Sequence, residues 1–274
     1  MLICKRDHVS LYSEPRYTVA REVSTAVMDC LQQMKPEEKE RLLEFLCHTR
    51  YTAVFEILNP RHQHVEDLSH LKRPELRFIT WTSCDLEPSP ESSLCCMPPH
   101  VGIEIARALG LPTVTYDVIP FSQVEEHMRE VRLSYGYEGK VLYFLDSDYA
   151  VIGLLKKKTI WYILCRAIRE KAKAACHAYC KSPDSFIMGK AIRKVEHRIE
   201  EIQQWLGLDE KSTKEWKALG SRFLQWAIQH VKGGDLGSGD VADLFPVAWK
   251  KFLSESGLTD KVEASWSEPG GSDS

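Results

Sequence analysis

The stretch Gly153-Leu154-Leu155-Lys156-Lys157-Lys158-Thr159-Ile160-Trp161-Tyr162 decides how this chain is read. Before it the sequence is extended in character. Residues 139–145 and 149–155 are apolar runs that read as two strands, joined by Asp146-Ser147-Asp148, whose short polar side chains favour a tight turn. From Trp161 onward the apolar residues recur at helical spacing instead. A mixed portion therefore gives way to an all-helical one, with the boundary placed near residue 165.

Toward the N-terminus, residues 2–11, 51–58 and 77–82 read as strands. Residues 19–34, 36–47, 102–109 and 122–132 read as helices. Pro36 opens its helix well, because its missing N–H would have no partner in the first turn, and Glu37 and Glu38 suit the positive end of the helix dipole. The Pro-, Ser- and Cys-rich residues 85–99 read as a loop. Toward the C-terminus, helices are expected over 165–180, 190–206, 212–231 and 240–254. In the second of these, Ile192, Val195, Ile199, Ile202 and Leu206 share one face. The expected fold class is α+β: a mixed domain over 1–164, an all-helical domain over 165–254, and a Ser/Gly/Glu-rich disordered tail over 255–274.

Composition narrows the function. The 274 residues are 43% apolar and 27% charged, as in a globular domain that buries a core. No run approaches the roughly 18 apolar residues of a membrane span, so no membrane partner is expected. The start, Met1-Leu2-Ile3-Cys4-Lys5-Arg6-Asp7, lacks a signal-peptide layout. Nine irregularly spaced cysteines then fit reduced thiols and a cytoplasmic or nuclear address. Cys176-x-x-x-Cys180 with His177, and Cys95-Cys96 with His100, lack zinc-knuckle spacing and read as ordinary thiols. A net charge of −3 means that any nucleic-acid site is a local basic patch.

Three strings carry chemistry. In Thr52-Ala53-Val54-Phe55-Glu56-Ile57-Leu58-Asn59-Pro60, strand alternation puts the Glu56 carboxylate on the face of Val54 and Leu58, where it needs a partner or a wet pocket. A salt-bridged acid is its plainer reading. In Tyr137-Glu138-Gly139-Lys140-Val141-Leu142, an acid next to glycine opens a strand, and glycine permits close backbone approach. At the end of the following strand, Lys156 and Lys158 point one way and Lys157 the other, so two ammonium groups can clamp a phosphate. Taken singly, these read as a strand start and a solubilising strand end.

Their order resembles motifs III, IV and V of the covalent nucleotidyltransferases. The Thr-Ala-x-Phe-Glu string and Lys-x-Lys-x-x-Trp-Tyr resemble the RNA ligase branch typified by the bacteriophage tRNA-repair ligase. The resemblance spans residues 2–165 and implies a ligase-type antiparallel-sheet domain followed by a helical domain. It implies ATP as AMP donor, Mg2+ as cofactor and RNA ends as partners. Glu56 would line the nucleoside pocket together with Tyr162 and a basic residue matching Arg6, with Lys5 as the other candidate. Glu138 would work beside the metal, and Lys156 and Lys158 would hold the α-phosphate. Arg166, Arg169 and Lys173, spaced by three and four on one helix face, extend this to an RNA-binding patch, a solvated helix face being the plainer alternative.

The departure from the family is motif I. No Lys-x-Asp-Gly string, whose lysine would carry AMP, occurs in residues 1–274. The expectation is a chain truncated before that lysine and inactive alone, from a partial gene model or a shortened isoform. It would act with a full-length ligase or another protein partner. The alternative is a non-catalytic module that binds nucleotide or RNA or regulates a partner. A DNA ligase or capping enzyme fits less well, because helices rather than a β-barrel follow the last motif.

Overall fold

The computed structural model describes residues 18–83 and 95–263. In chain order its elements are α1 (Thr18–Gln32), α2 (Pro36–Thr49), β1 (Tyr51–Leu58), β2 (Glu75–Ser83), α3 (Pro99–Ala108), α4 (Val124–Leu133), β3 (Gly139–Leu145), β4 (Val151–Lys158), α5 (Ile160–Lys181), α6 (Met188–Leu206), α7 (Glu210–Gly233), α8 (Asp240–Asp243) and α9 (Phe245–Ser256). The chain is α+β, with two small antiparallel sheets, β1–β2 and β3–β4. The strand expected over 2–11 lies outside the described residues, as does most of the loop at 85–99.

The described residues divide into two compact units. The first comprises 18–60, 70–83, 95–121 and 141–156. Its core joins Leu42 of α2, Ala53 of β1, Phe78 and Trp81 of β2, and Ile103 and Ala106 of α3. Trp81 is fully buried, and its indole N–H donates to the Gly102 carbonyl at 3.0 Å, which satisfies the ring's one polar atom. A register shift falls between Val54 and Phe55: Val54 faces Thr80 but Phe55 faces Phe78, so Ile79 is the extra residue. The bulge lies on β2, so alternation along β1 is kept: Ala53 and Phe55, on either side of it, both face the core. Glu56 falls on the other face of β1, where it is exposed opposite Arg77 and its carboxylate keeps its solvation.

The tip of the β3–β4 hairpin follows the turn chemistry of its sequence. The Asp146 carboxylate accepts the backbone N–H groups of Asp148 and Ala150 at 2.9 and 2.8 Å. Tyr149 takes the left-handed conformation that closes the turn, and β4 starts at Val151, two residues later than the sequence suggests.

The second unit comprises 61–69, 122–140 and 157–263. It contains α4 through α9 apart from the intervening strands, and its core is centred on Phe223 of α7. That ring packs against Trp226, Phe245, Trp249 and Phe252. The apolar face of α6 is buried at Val195, Ile199, Ile202 and Leu206, whereas Ile192 is only half-buried. The expected last helix is broken in two. Pro246 sits in the first turn of α9 and has no N–H to donate to the Ala242 carbonyl, so the helical bonding of α8 does not continue and the chain bends at Leu244. Residues 258–263 are also packed, with Val262 buried, so the expected tail is ordered at least this far. The remainder, 264–274, lies outside the described residues.

Candidate functional site

The backbone at the base of the β3–β4 hairpin builds the site. Thr159 is fully buried and does two things at once. Its hydroxyl donates to the Tyr137 carbonyl at 3.0 Å and accepts the Tyr162 N–H at 3.0 Å, which caps α5 and starts that helix at Ile160. Its own N–H donates to the Glu138 carbonyl at 3.0 Å. The acid of the second string and the lysine and tyrosine of the third are thereby drawn together.

Gly139 makes this approach possible. It has φ +150°, and a Cβ there would lie 2.0 Å from the Lys157 carbonyl oxygen. The close backbone approach that glycine permits is therefore to the partner strand rather than to a ligand.

Side chains complete the cluster. Lys158 Nζ lies 3.0 Å from Glu138 Oε1 and 5.0 Å from the centre of the Tyr162 ring. The buried Tyr162 phenol hydrogen-bonds Glu138; burial first, and then the Glu138 charge, push its pKa up, while Arg166 pulls it down. Arg132 of α4 donates to the Lys158 carbonyl at 2.9 Å and fixes the end of β4. Lys158 and Glu138 keep about a third of their side-chain surface exposed, so the charged pair is open to an incoming anion or cation.

A strap at 61–69, which carries no recognisable motif, also reaches the site. Gln63 is buried and anchors it: its N–H donates to the Asp243 carbonyl at 2.7 Å, and its side-chain oxygen accepts the Leu68 N–H at 2.9 Å. Val65 enters the core, and Glu66 accepts the Glu138 N–H. His64 lies near Arg166 and Arg169; burial first, and then these two charges, lower its pKa.

The expected site residues divide as follows. Glu138, Lys158, Tyr162 and Arg166 come together in the second unit. Lys173 is exposed further along α5. Arg169 does not share that exposed face. It is buried, with Nε donating to the Ala242 carbonyl at 2.8 Å and the guanidinium paired with Glu170, so its role here is structural. Glu56 and Lys156 belong to the first unit, where both are exposed. Arg6 lies outside the described residues. Sequence reading missed Glu66, His64, Arg132 and Thr159. Of these, only Thr159 carried a signal, as a threonine directly before a helical run.

Cysteine does not build a site among the described residues. All seven described cysteines are free thiols; Cys176 is buried, and burial pushes its pKa up to about 12, while Cys180 is exposed. No group of three or more His, Cys, Asp or Glu residues converges there either. A magnesium ion held by one carboxylate, substrate phosphates and water needs no such group, and the donor chemistry of Glu138 fits that arrangement. Lys158 and Arg166 fit a phosphate.

A family model described as a domain of unknown function, DUF7920, matches residues 3–169. The chain belongs to the DUF7920 family. No curated protein and no solved structure matches it. The DUF7920 match contains the whole Glu138–Lys158–Tyr162–Arg166 cluster and ends within α5. No described helix is long and apolar enough to cross a membrane.

Proposed function

We propose that this DUF7920 protein is an ATP-dependent RNA ligase-type nucleotidyltransferase. It would join RNA 5′-phosphate and 3′-hydroxyl ends through AMP intermediates, with its phosphate-handling residues in the second unit. One observation supports the reading above the others. The Lys158 ammonium is held between the Glu138 carboxylate at 3.0 Å and the Tyr162 ring at 5.0 Å, which joins the acid and the lysine that motif order had paired.

In this reading Lys158 binds the α-phosphate and stabilises charge as its bond to the leaving group breaks. A phosphate that takes Lys158 releases Glu138 to face the Mg2+ that ATP and the RNA phosphate bring. Tyr162 supports both groups. Arg166 and Lys173 contact the RNA backbone.

The second reading is a non-catalytic module that binds nucleotide or RNA, or regulates a partner protein such as a full-length ligase. It is favoured by one feature of the sequence, the absence of Lys-x-Asp-Gly from residues 1–274. The two readings part at the last chemical step, in which a 3′-hydroxyl attacks an adenylated 5′-end and AMP leaves. That step requires no lysine nucleophile.

The test supplies RNA already carrying a 5′-adenylate, with Mg2+ and an acceptor 3′-hydroxyl. The expected result is a new phosphodiester bond and release of AMP, lost in Glu138→Gln and Lys158→Ala. Binding of the adenylated RNA without sealing selects the non-catalytic reading. Neither binding nor sealing overturns the ligase-type reading and the RNA-binding form of the alternative.

A further inference from the structure

The segment after α9 reaches back to the elements that carry the site. The indole N–H groups of Trp161 and Trp249 both donate to Asp260 Oδ2, at 2.7 and 2.8 Å. Two residues on, Val262 is 5% exposed, and its carbonyl accepts the Tyr135 hydroxyl. Trp161 directly precedes Tyr162, and Tyr135 lies three residues before Glu138. One short segment thus holds the two stretches of backbone whose side chains meet in the Glu138–Lys158–Tyr162 cluster.

We propose that residues 258–263 are a positioning element of that cluster, with Asp260 as the positioning residue. An indole N–H can only donate, and a carboxylate oxygen can accept two such donors at once. Asp260 therefore fixes the rotation of the first turn of α5 against α9, and Val262 fixes the approach to β3. Asp260 lies outside the DUF7920 match at 3–169, so the helical region completes the site rather than being appended to it.

The inference rests on the ligase-type reading for its activity readout, and its test also contains a readout independent of that reading. In the full chain, Asp260→Ala, Asp260→Asn and Tyr135→Phe are compared with wild type by thermal melting and backbone amide NMR. Sealing of adenylated RNA is resolved into RNA affinity and single-turnover rate.

Displacement of a reacting group by about an ångström lowers rates roughly a hundredfold. Asp260→Ala is expected to reduce the rate at saturating RNA by roughly ten- to hundredfold with RNA affinity little changed, and to shift the Glu138, Lys158 and Tyr162 amides. Asp260→Asn, whose amide oxygen still accepts, recovers most of the rate. Tyr135→Phe gives a smaller effect of the same kind and serves if Asp260→Ala does not fold. Amide shifts confined to 258–263 and Trp249, or a lowered melting temperature with an unchanged rate, overturn the positioning role. If wild type does not seal RNA, the ligase-type reading falls and the amide shifts still decide the inference.

Discussion

Replacing Lys158 by alanine separates a catalytic lysine from a structural one, because the structure limits what its contacts contribute to stability. The ion pair with Glu138 is at 3.0 Å with both side chains about a third exposed, so it contributes about 0–1 kcal/mol. The contact with the Tyr162 ring adds about 0.5–1 kcal/mol. Together they amount to at most about 2 kcal/mol, or a melting shift of roughly 4–8 °C for a domain of this size. Loss of a fixed cation at a developing negative charge costs far more in rate, on the order of a hundred- to a thousandfold. Lys158→Ala is therefore expected to stay folded at assay temperature and to seal adenylated RNA at least about a hundredfold more slowly. Lys157, whose side chain alternates to the other face of β4, serves as the control, and Lys157→Ala stays near wild type. Single-turnover sealing and differential scanning calorimetry on the same preparations give both numbers. Near-wild-type sealing by Lys158→Ala, or equal damage in Lys157→Ala, refutes the assignment.

Other substitutions probe the surrounding structure. Arg169→Ala removes the donor to the buried Ala242 carbonyl and is expected to lower stability by about 1–3 kcal/mol, measured by urea unfolding. Arg166→Ala and Lys173→Ala instead leave the unfolding midpoint in place and reduce the salt dependence of RNA affinity by about one charge each. Gly139→Ala forces a Cβ onto the Lys157 carbonyl, 2.0 Å away, and should separate the hairpin base and abolish RNA sealing, with loss of the Glu138–Lys158 contact visible by NMR. Asp67 gives a pH signature. Burial alone would raise its carboxyl, but the hydrogen bonds from Lys250 and Ser69 outweigh it and hold the pKa at about 2. A depressed carboxylate stabilises the fold above its unfolded value of about 4 and loses that contribution as pH falls toward 2. Asp67→Asn should therefore flatten the dependence of stability on pH between about 4 and 2, and an unchanged acid limb counts against the Lys250 contact.

Residues acting on their near neighbours were legible from the sequence. Pro36 with Glu37 and Glu38 announces the start of α2, and α2 begins there. Asp146-Ser147-Asp148 announces a turn, and its first carboxylate is consumed by the turn's own N–H groups. The buried face of α6 follows its three-and-four spacing except at Ile192, near the helix end. These features depend on backbone period and local hydrogen bonding, which the chain carries within a few residues.

Tertiary packing decided the rest. Arg166, Arg169 and Lys173 share one arc of α5, yet Arg169 alone is covered, because the Ala242 carbonyl of α8 lies against it. No spacing rule within α5 contains that contact. Glu56 escapes burial because the core covers the Ala53 and Phe55 face of β1 and leaves Glu56, on the other face, exposed. Glu66 and Asp260 reach their partners across 72 and 99 residues of chain, and nothing in their own neighbourhoods marks them. Local sequence sets which face a side chain takes along its own element. Which element then covers that face is fixed only by the closure of the whole chain.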